Sequence, residues 1–128
     1  MLPLLKAGGF ALLFCLNLDC PDLTSMRMLV EAELESTPRK EEMMKIIECE
    51  SGFDPLIQSR HKDPSGPNGR EDSWGLGQIN LKWNPHVTRE QAQNWRFSLN
   101  FIKRNFEAGN ESWMWKECWN KINQISHE

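Results

Sequence analysis

The stretch MMKIIECESGFDP, residues 43–55, decides how this chain folds. Met43, Ile47 and Glu50 follow i, i+4, i+7 spacing, which puts the carboxylate in line with an apolar, core-facing stripe of a helix predicted over residues 38–51. A glutamate there either turns to solvent or pairs with a cation, or it is buried. Burial disfavours the ionised form and raises the pKa, as a general acid working near neutral pH requires.

The start of this helix also marks the predicted domain boundary. Thr37 suits an N-cap and Pro38 the first helical position. We therefore assign the main domain to residues 37–128. Residues 21–36 have a weaker helical pattern, which predicts either a linker or an extra helix that packs on the body.

Downstream of residue 55 the pattern predicts a long loop and then two helices. Residues 54–73 hold three Pro and two Gly and are too broken for a helix, but they leave room for a minor hairpin. Thr88 and Gln91 form a capping box, and Gly109 can end the helix that follows. The apolar stripe of that helix is Ala92, Trp95, Leu99, Ile102 and Phe106. A last helix over roughly 111–125 places on one face Trp115, Cys118, Trp119, Ile122 and Ile125. With no alternating strand run, the fold class is mainly α.

Composition narrows the possible functions. The 128 residues suit one domain, and a formal net charge of −3 without a basic run argues against a nucleic-acid partner. No paired Cys/His spacing indicates a metal site, and no motif calls for a cofactor. Cys49 and Cys118 would either form a disulfide in an exported protein or remain two buried free thiols.

The N-terminal segment bears on localisation. Within residues 1–20, Lys6 is followed by an apolar run over 7–18. The length of this run suits a secretory signal and is too short for a membrane span. We expect an extracytoplasmic protein. The alternatives are a buried or interfacial segment, or a translation start placed too far upstream.

Two short motifs stand out in the sequence. Residues 50–55 read E-S-x-F-x-P and residues 75–80 read GLGQIN. In this order, the two motifs resemble those of the lytic transglycosylase family, which shares a lysozyme-like fold with goose-type lysozymes. The resemblance covers roughly residues 40–119. It implies a small helical domain with a long loop or minor hairpin over a catalytic cleft. It also implies cleavage of the β-1,4 bond between N-acetylmuramic acid and N-acetylglucosamine in peptidoglycan.

The resemblance also implies roles for individual residues. Glu50 matches the family's single essential acid, which acts first as acid and then as base and so forms 1,6-anhydro ends. Ser59 matches a serine near that acid, Gln78 a glutamine that contacts the sugar, and Asn80 a position that contacts the acetamido group. Each of these three has an ordinary alternative as a loop or solvated side chain.

Aromatic residues add a further set of candidates. Any of four tryptophans could stack on sugar, although tryptophans more often belong to the core: Trp74, Trp83, Trp113 and Trp115. We expect one or two of the four to contact glycan, with Trp115 the preferred candidate. The family's late A-Y-N-x-G segment is absent, and residues 113–119 stand in its place.

The expected partner is therefore the glycan strand of peptidoglycan, bound by a monomer. Two alternatives remain: a hydrolytic lysozyme, and a lysozyme-like module that binds peptidoglycan without cutting it. A second carboxylate that orders a water would favour the lysozyme. The candidates for that carboxylate are Asp54, Asp63, Glu71 and Asp72.

Overall fold

Helices dominate the computed structural model, which describes residues 23–126. The helices are α1 (Leu23–Glu33), α2 (Lys40–Ser51), α3 (Arg89–Ala92), α4 (Trp95–Glu107), α5 (Glu111–Met114) and α6 (Lys116–Ser126). The strands are β1 (Ser73–Trp74) and β2 (Ile79–Asn80), and a single 3-10 turn covers Pro67–Gly69. The predicted mainly α class is confirmed. No helix in the described part of the chain is long and apolar enough to cross a membrane.

Helix α1 is part of the packed body. Met26, Val30 and Leu34 have 0% exposure and belong to the same hydrophobic core as the later helices. Within the described residues, the predicted extra helix is present over Leu23–Glu33. The signal-like segment, residues 1–20, lies outside the described residues.

The start of α2 differs from the prediction. The helix begins at Lys40, and the residue before it is Arg39, in the left-handed conformation (φ 63°) and without a side-chain cap. Thr37 is therefore not the cap. The guanidinium of Arg39 instead bonds Glu42 at 2.7 Å and Glu111 at 2.9 Å, which ties the start of α2 to the start of α5.

The predicted minor hairpin forms at the end of the long loop. Strands β1 and β2 are antiparallel, with Ser73 opposite Asn80 and Trp74 opposite Ile79. An isolated bridge from Gln58 to Trp74 extends this small sheet back into the loop. The loop is thereby held against the hairpin.

Each of the two downstream helices is interrupted once. The predicted capping box of Thr88 and Gln91 is present, but α3 ends at Ala92. Asn94 then caps α4, because its Oδ1 accepts hydrogen bonds from two backbone N–H groups. The second break falls at Trp115, whose backbone (φ −121°, ψ 51°) separates α5 from α6. Side-chain periodicity continues across both breaks, which is why the sequence predicts single helices.

Candidate active site

A cleft of about 920 Å³ lies beside the end of α2. Its walls come from that helix end, the loop after it, the hairpin with the segment that follows, and helices α5 and α6. All five site residues that the sequence nominates line it: Glu50, Ser59, Gln78, Asn80 and Trp115. The fold therefore brings together residues that are up to 65 positions apart in the chain.

The turn after α2 fixes the direction of Glu50. The Ser51 hydroxyl donates to the Ile47 carbonyl at 3.0 Å and accepts from the Phe53 N–H at 3.2 Å. Gly52 and Phe53 both adopt positive φ, so the chain reverses immediately, and the Phe53 ring is buried. The helix therefore ends one residue after Glu50 and leaves that side chain in the wall of the cleft.

Glu50 is partly buried, and its pKa is raised from 4.5 to about 7. Burial is the largest cause, because it withdraws the carboxylate from water. The negative charges of Glu117 and then Glu71 act in the same direction, and Lys121 opposes them. No hydrogen bond from a described residue contributes to the altered pKa. The site thus holds a carboxyl group that is about half protonated at neutral pH.

Ser59 is buried in the cleft wall at 3% exposure. Its Oγ accepts from the His61 N–H at 3.1 Å, and its own N–H donates to the Ser73 carbonyl at 2.9 Å. No bond from Ser59 to Glu50 is present. In this structure Ser59 therefore joins the loop to β1, next to the acid.

Gln78 and Asn80 each have part of their amide group engaged. Gln78 has positive φ (50°), and its Nε2 donates to the carbonyls of Ile57 and Gly75. The Asn80 Oδ1 accepts from the N–H groups of Lys82 and Trp83. Within the described chain, the Gln78 Oε1 and the Asn80 Nδ2 make no side-chain hydrogen bond. One acceptor and one donor are thus available to a ligand in the cleft.

The prediction that the ring of Trp115 stacks on a sugar is wrong. Its side chain is 3% exposed, its Nε1 donates to the Gly77 carbonyl at 2.7 Å, and its ring lies 5.8 Å from that of Phe106. A ring enclosed in this way borders the cleft but has no free face for a sugar. Its role is to pack the hairpin against α4 and α6.

Two other tryptophans have exposed rings. Trp83 is 75% exposed and Trp113 is 64% exposed, and both line the cleft. Trp74 is buried, and its Nε1 bonds Asp72. The aromatic surfaces open to a ligand are therefore those of Trp83 and Trp113.

The glycines of the GLGQIN motif serve packing. A Cβ on Gly75 would lie 1.9 Å from the carbonyl oxygen of Ala92, and a Cβ on Gly77 would lie 2.9 Å from Ile102. Neither position has room for a Cβ against the helix that it faces. The glycines let the hairpin lie directly on α3 and α4.

Gln58 is a residue that the sequence reasoning missed. It is 4% exposed, and its Nε2 donates to the carbonyls of Pro67, Arg70 and Glu71. Its Oε1 accepts from the side chains of Asn68 and Arg70. These contacts fix the far part of the loop and so the cleft wall that carries Glu71. A lone glutamine in a loop gives no sequence signal of this role.

The candidate second carboxylates differ in position. Asp54 and Glu71 line the cleft, whereas Asp63 and Asp72 are absent from its wall. The Glu71 Oε1 accepts from the Ser73 hydroxyl at 2.9 Å, and its charge acts on Glu50. Glu117, which the sequence reasoning did not nominate, has a stronger effect on Glu50. Among residues 23–126, no group of three or more His, Cys, Asp or Glu is placed to hold a metal ion.

The disulfide alternative is the one observed. Cys49 and Cys118 are bonded, with their Cα atoms 5.9 Å apart. Both residues line the cleft. The bond therefore connects α2 to α6 directly beside Glu50.

Comparison with protein-family models, curated proteins and solved structures finds no match to this chain. Its function must be inferred from the residues of the cleft.

Proposed function

We propose that this chain is a peptidoglycan lytic transglycosylase with a lysozyme-like fold and Glu50 as its single catalytic acid. The observation that carries the proposal is a partly buried carboxyl group in the wall of the cleft, where burial raises its pKa to about 7. Such a group gives and takes a proton with equal ease near neutral pH. The helical architecture with a small hairpin beside the cleft is compatible with the fold that the resemblance implies.

In the proposed reaction, Glu50 donates its proton to the bridging oxygen as the bond from C1 of N-acetylmuramic acid to that oxygen breaks. The positive charge that develops at C1 is stabilised by the substrate's own 2-acetamido group. The Glu50 carboxylate then removes the proton from the 6-hydroxyl, whose oxygen attacks C1. The product is a 1,6-anhydro end, and Glu50 is protonated again.

The polar residues of the cleft support the binding of an acetamido sugar. The free Oε1 of Gln78 can accept from a hydroxyl or amide N–H, and the free Nδ2 of Asn80 can donate to an acetamido carbonyl. Ser59 holds the loop that faces these groups. The proposed partner, the glycan strand, lies outside the cytoplasm, so the proposal requires an extracytoplasmic protein.

The exposed rings of Trp83 and Trp113 support the same ligand. A sugar ring presents an apolar face that an indole covers well, while the indole N–H remains available to water or hydroxyls. Large exposed aromatics at the wall of a cleft are typical of ligand contact. We assign to Trp83 and Trp113 the stacking role that the sequence suggested for Trp115.

A hydrolytic lysozyme is the second candidate, and the position of Glu71 favours it. Its carboxylate lies at the cleft wall, close enough to act electrostatically on Glu50. A second carboxylate across the cleft can activate a water molecule, which gives a reducing end instead of an anhydro end. The two candidates therefore differ in product and share Glu50.

Mass spectrometry of the products released from purified bacterial sacculi tests the proposal. The wild-type protein is expected to release 1,6-anhydro products, and Glu50→Gln is expected to release none. Glu48→Gln, a change on the same helix two residues away, serves as the matched control and is expected to retain activity. Reducing ends would instead identify a lysozyme. No release by the wild-type protein would contradict both enzymes and favour a binding module.

A further inference from the structure

The disulfide joins two helix ends, each of which carries a carboxylate of the cleft. Cys49 directly precedes Glu50 near the end of α2, and Cys118 directly follows Glu117 in the first turn of α6. All four residues line the cleft. The bond therefore limits how far the backbone of Glu117 can move from that of Glu50.

The two carboxylates lie in opposite environments. Glu117 is exposed and in the first turn of a helix, where the helix dipole favours a negative charge. Glu50 is partly buried at the last turn of a helix, where the dipole disfavours one. Of the charged groups that act on Glu50, Glu117 has the largest effect. A retained negative charge on Glu117 therefore keeps the proton on Glu50.

Other charged groups around the cleft modify this effect. They are Glu48 on α2, Asp54, Arg60, His61 and Glu71 on the loop, and Lys116, Glu117 and Lys121 on α6. Lys121 opposes Glu117, and His61, when protonated, lies 3.7 Å from the Glu117 carboxylate and offsets its charge. Glu48 faces Arg27 at 3.6 Å. Glu117 and Glu71 are the groups in this set that act to keep Glu50 neutral.

Helix α6 has contacts that do not depend on the disulfide. Trp119 lies edge-on to Phe106 at 6.4 Å, and the Arg39 guanidinium lies 5.7 Å from the Trp119 ring. These contacts fall on the residue directly after Cys118, so the start of α6 has noncovalent packing of its own, while the disulfide is its covalent link to α2 beside Glu50. Cys49 is exposed, so a water-soluble reductant can reach the bond.

We propose that the Cys49–Cys118 disulfide is a positioning element of the active site, which holds the Glu117 carboxylate on the cleft wall beside Glu50. Its consequence for catalysis rests on the proposed function, but its effect on the protonation of Glu50 does not. Reduction removes the covalent link to α2, lets the exposed Glu117 side chain move away from Glu50, and leaves the packing of Trp119 in place.

The test is a pH titration of the Glu50 side-chain carboxyl by carbon-13 NMR, with Glu50→Gln to assign the signal. In the oxidised protein the midpoint is expected at about 7. In the reduced protein it is expected to fall but to remain above the ordinary value of 4.5, because Glu50 stays buried. Glu117→Gln is expected to lower the midpoint of the oxidised protein and to abolish most of the effect of reduction. Glu48→Gln, which removes an equal charge beside the same disulfide, is expected to respond to reduction like the wild-type protein.

Three outcomes would overturn the proposal. The first is an unchanged midpoint after reduction of a protein that circular dichroism shows to be folded. The second is an equal fall on reduction in Glu117→Gln and in the wild-type protein, because the bond would then act through another group. The third is unfolding on reduction. Absence of glycan cleavage would refute the proposed function and leave this titration unaffected.

Discussion

Replacing Glu50 by Gln is expected to stabilise the protein at alkaline pH while removing the proposed activity. The carboxyl has a pKa of about 7 in the folded protein and takes the ordinary value of 4.5 once unfolding exposes it to water. The folded state therefore binds the proton more tightly than the unfolded state. By linkage, the favourable contribution of Glu50 is fully present below pH 4.5 and is lost as the pH rises through 7.

The size of the effect follows from the difference between these two values. Each pH unit between them corresponds to about 1.4 kcal/mol of unfolding free energy, so the rise from 4.5 to about 7 corresponds to about 3 kcal/mol. That figure is an upper bound, because water that enters the open cleft lowers the cost of the charge. Gln has a similar shape and does not ionise, so Glu50→Gln should avoid the whole loss.

Urea unfolding at pH 4 and at pH 8, with the disulfide intact, measures this effect. The unfolding free energy of Glu50→Gln minus that of the wild-type protein should be up to about 3 kcal/mol larger at pH 8 than at pH 4, which means that the variant is relatively more stable at pH 8. Glu48→Gln is the control, because the Glu48 side chain is 63% exposed and should show little pH-dependent difference. The reasoning fails if the wild-type protein and Glu50→Gln show parallel stability curves from pH 4 to pH 8.

Three further changes test the cleft and its supports. Trp83→Ala should weaken the binding of chitin oligosaccharides, measured by calorimetry, at least about fivefold, which is equivalent to about 1 kcal/mol. Leu56→Ala, at a residue that is also exposed but lies outside the cleft wall, should leave the affinity unchanged. Equal affinities of the two variants would contradict the stacking role. Gly75→Ala should lower the free energy of unfolding, measured in urea, by about 3 kcal/mol, because the new Cβ would meet a backbone oxygen at 1.9 Å. Gly109→Ala, at a position with positive φ but open space, should lower it by only about 1 kcal/mol. Similar losses in the two variants would refute the packing argument. Gln58→Ala should lower the free energy of unfolding by about 3 kcal/mol, because it leaves several loop carbonyls without their hydrogen-bond donor. It should also make residues 63–71 susceptible to limited proteolysis. A loop that stays uncut would show that other contacts hold it.

The helices were largely predictable because their signals are local. The Thr88–Gln91 capping box lies within four residues, and the apolar stripe of α2 is visible from spacing alone. The breaks after Ala92 and at Trp115 were not predictable, because apolar periodicity continues across them. The Asn94 side chain caps the second of these helices through contacts that compete with a continuous helix.

The site was predictable only in part, for the same physical reason. Spacing placed Glu50 on a core-facing stripe, but it did not reveal that Glu117, from a distant helix, would lie beside it. Nor could it separate Trp115 from Trp113. The two are neighbours in the chain, and which one is covered depends on where the hairpin packs. Tertiary neighbours decide exposure, and single-sequence periodicity does not contain them.

The disulfide and Glu50 should also be coupled in stability. Closing a loop of about 70 residues stabilises the folded state by about 4 kcal/mol on the chain-entropy estimate. At pH 8 the same bond holds Glu117 beside an ionised Glu50, and this repulsion reduces its net benefit. At pH 8, reduction of the disulfide should therefore lower the free energy of unfolding less in the wild-type protein than in Glu50→Gln. At pH 4 the two losses should be equal, because Glu50 is then neutral whether the bond is oxidised or reduced. Urea unfolding of both proteins, oxidised and reduced, gives the four free energies at each pH. Equal losses at pH 8 would show that the bond stabilises the folded chain without holding the two carboxylates close enough to repel each other.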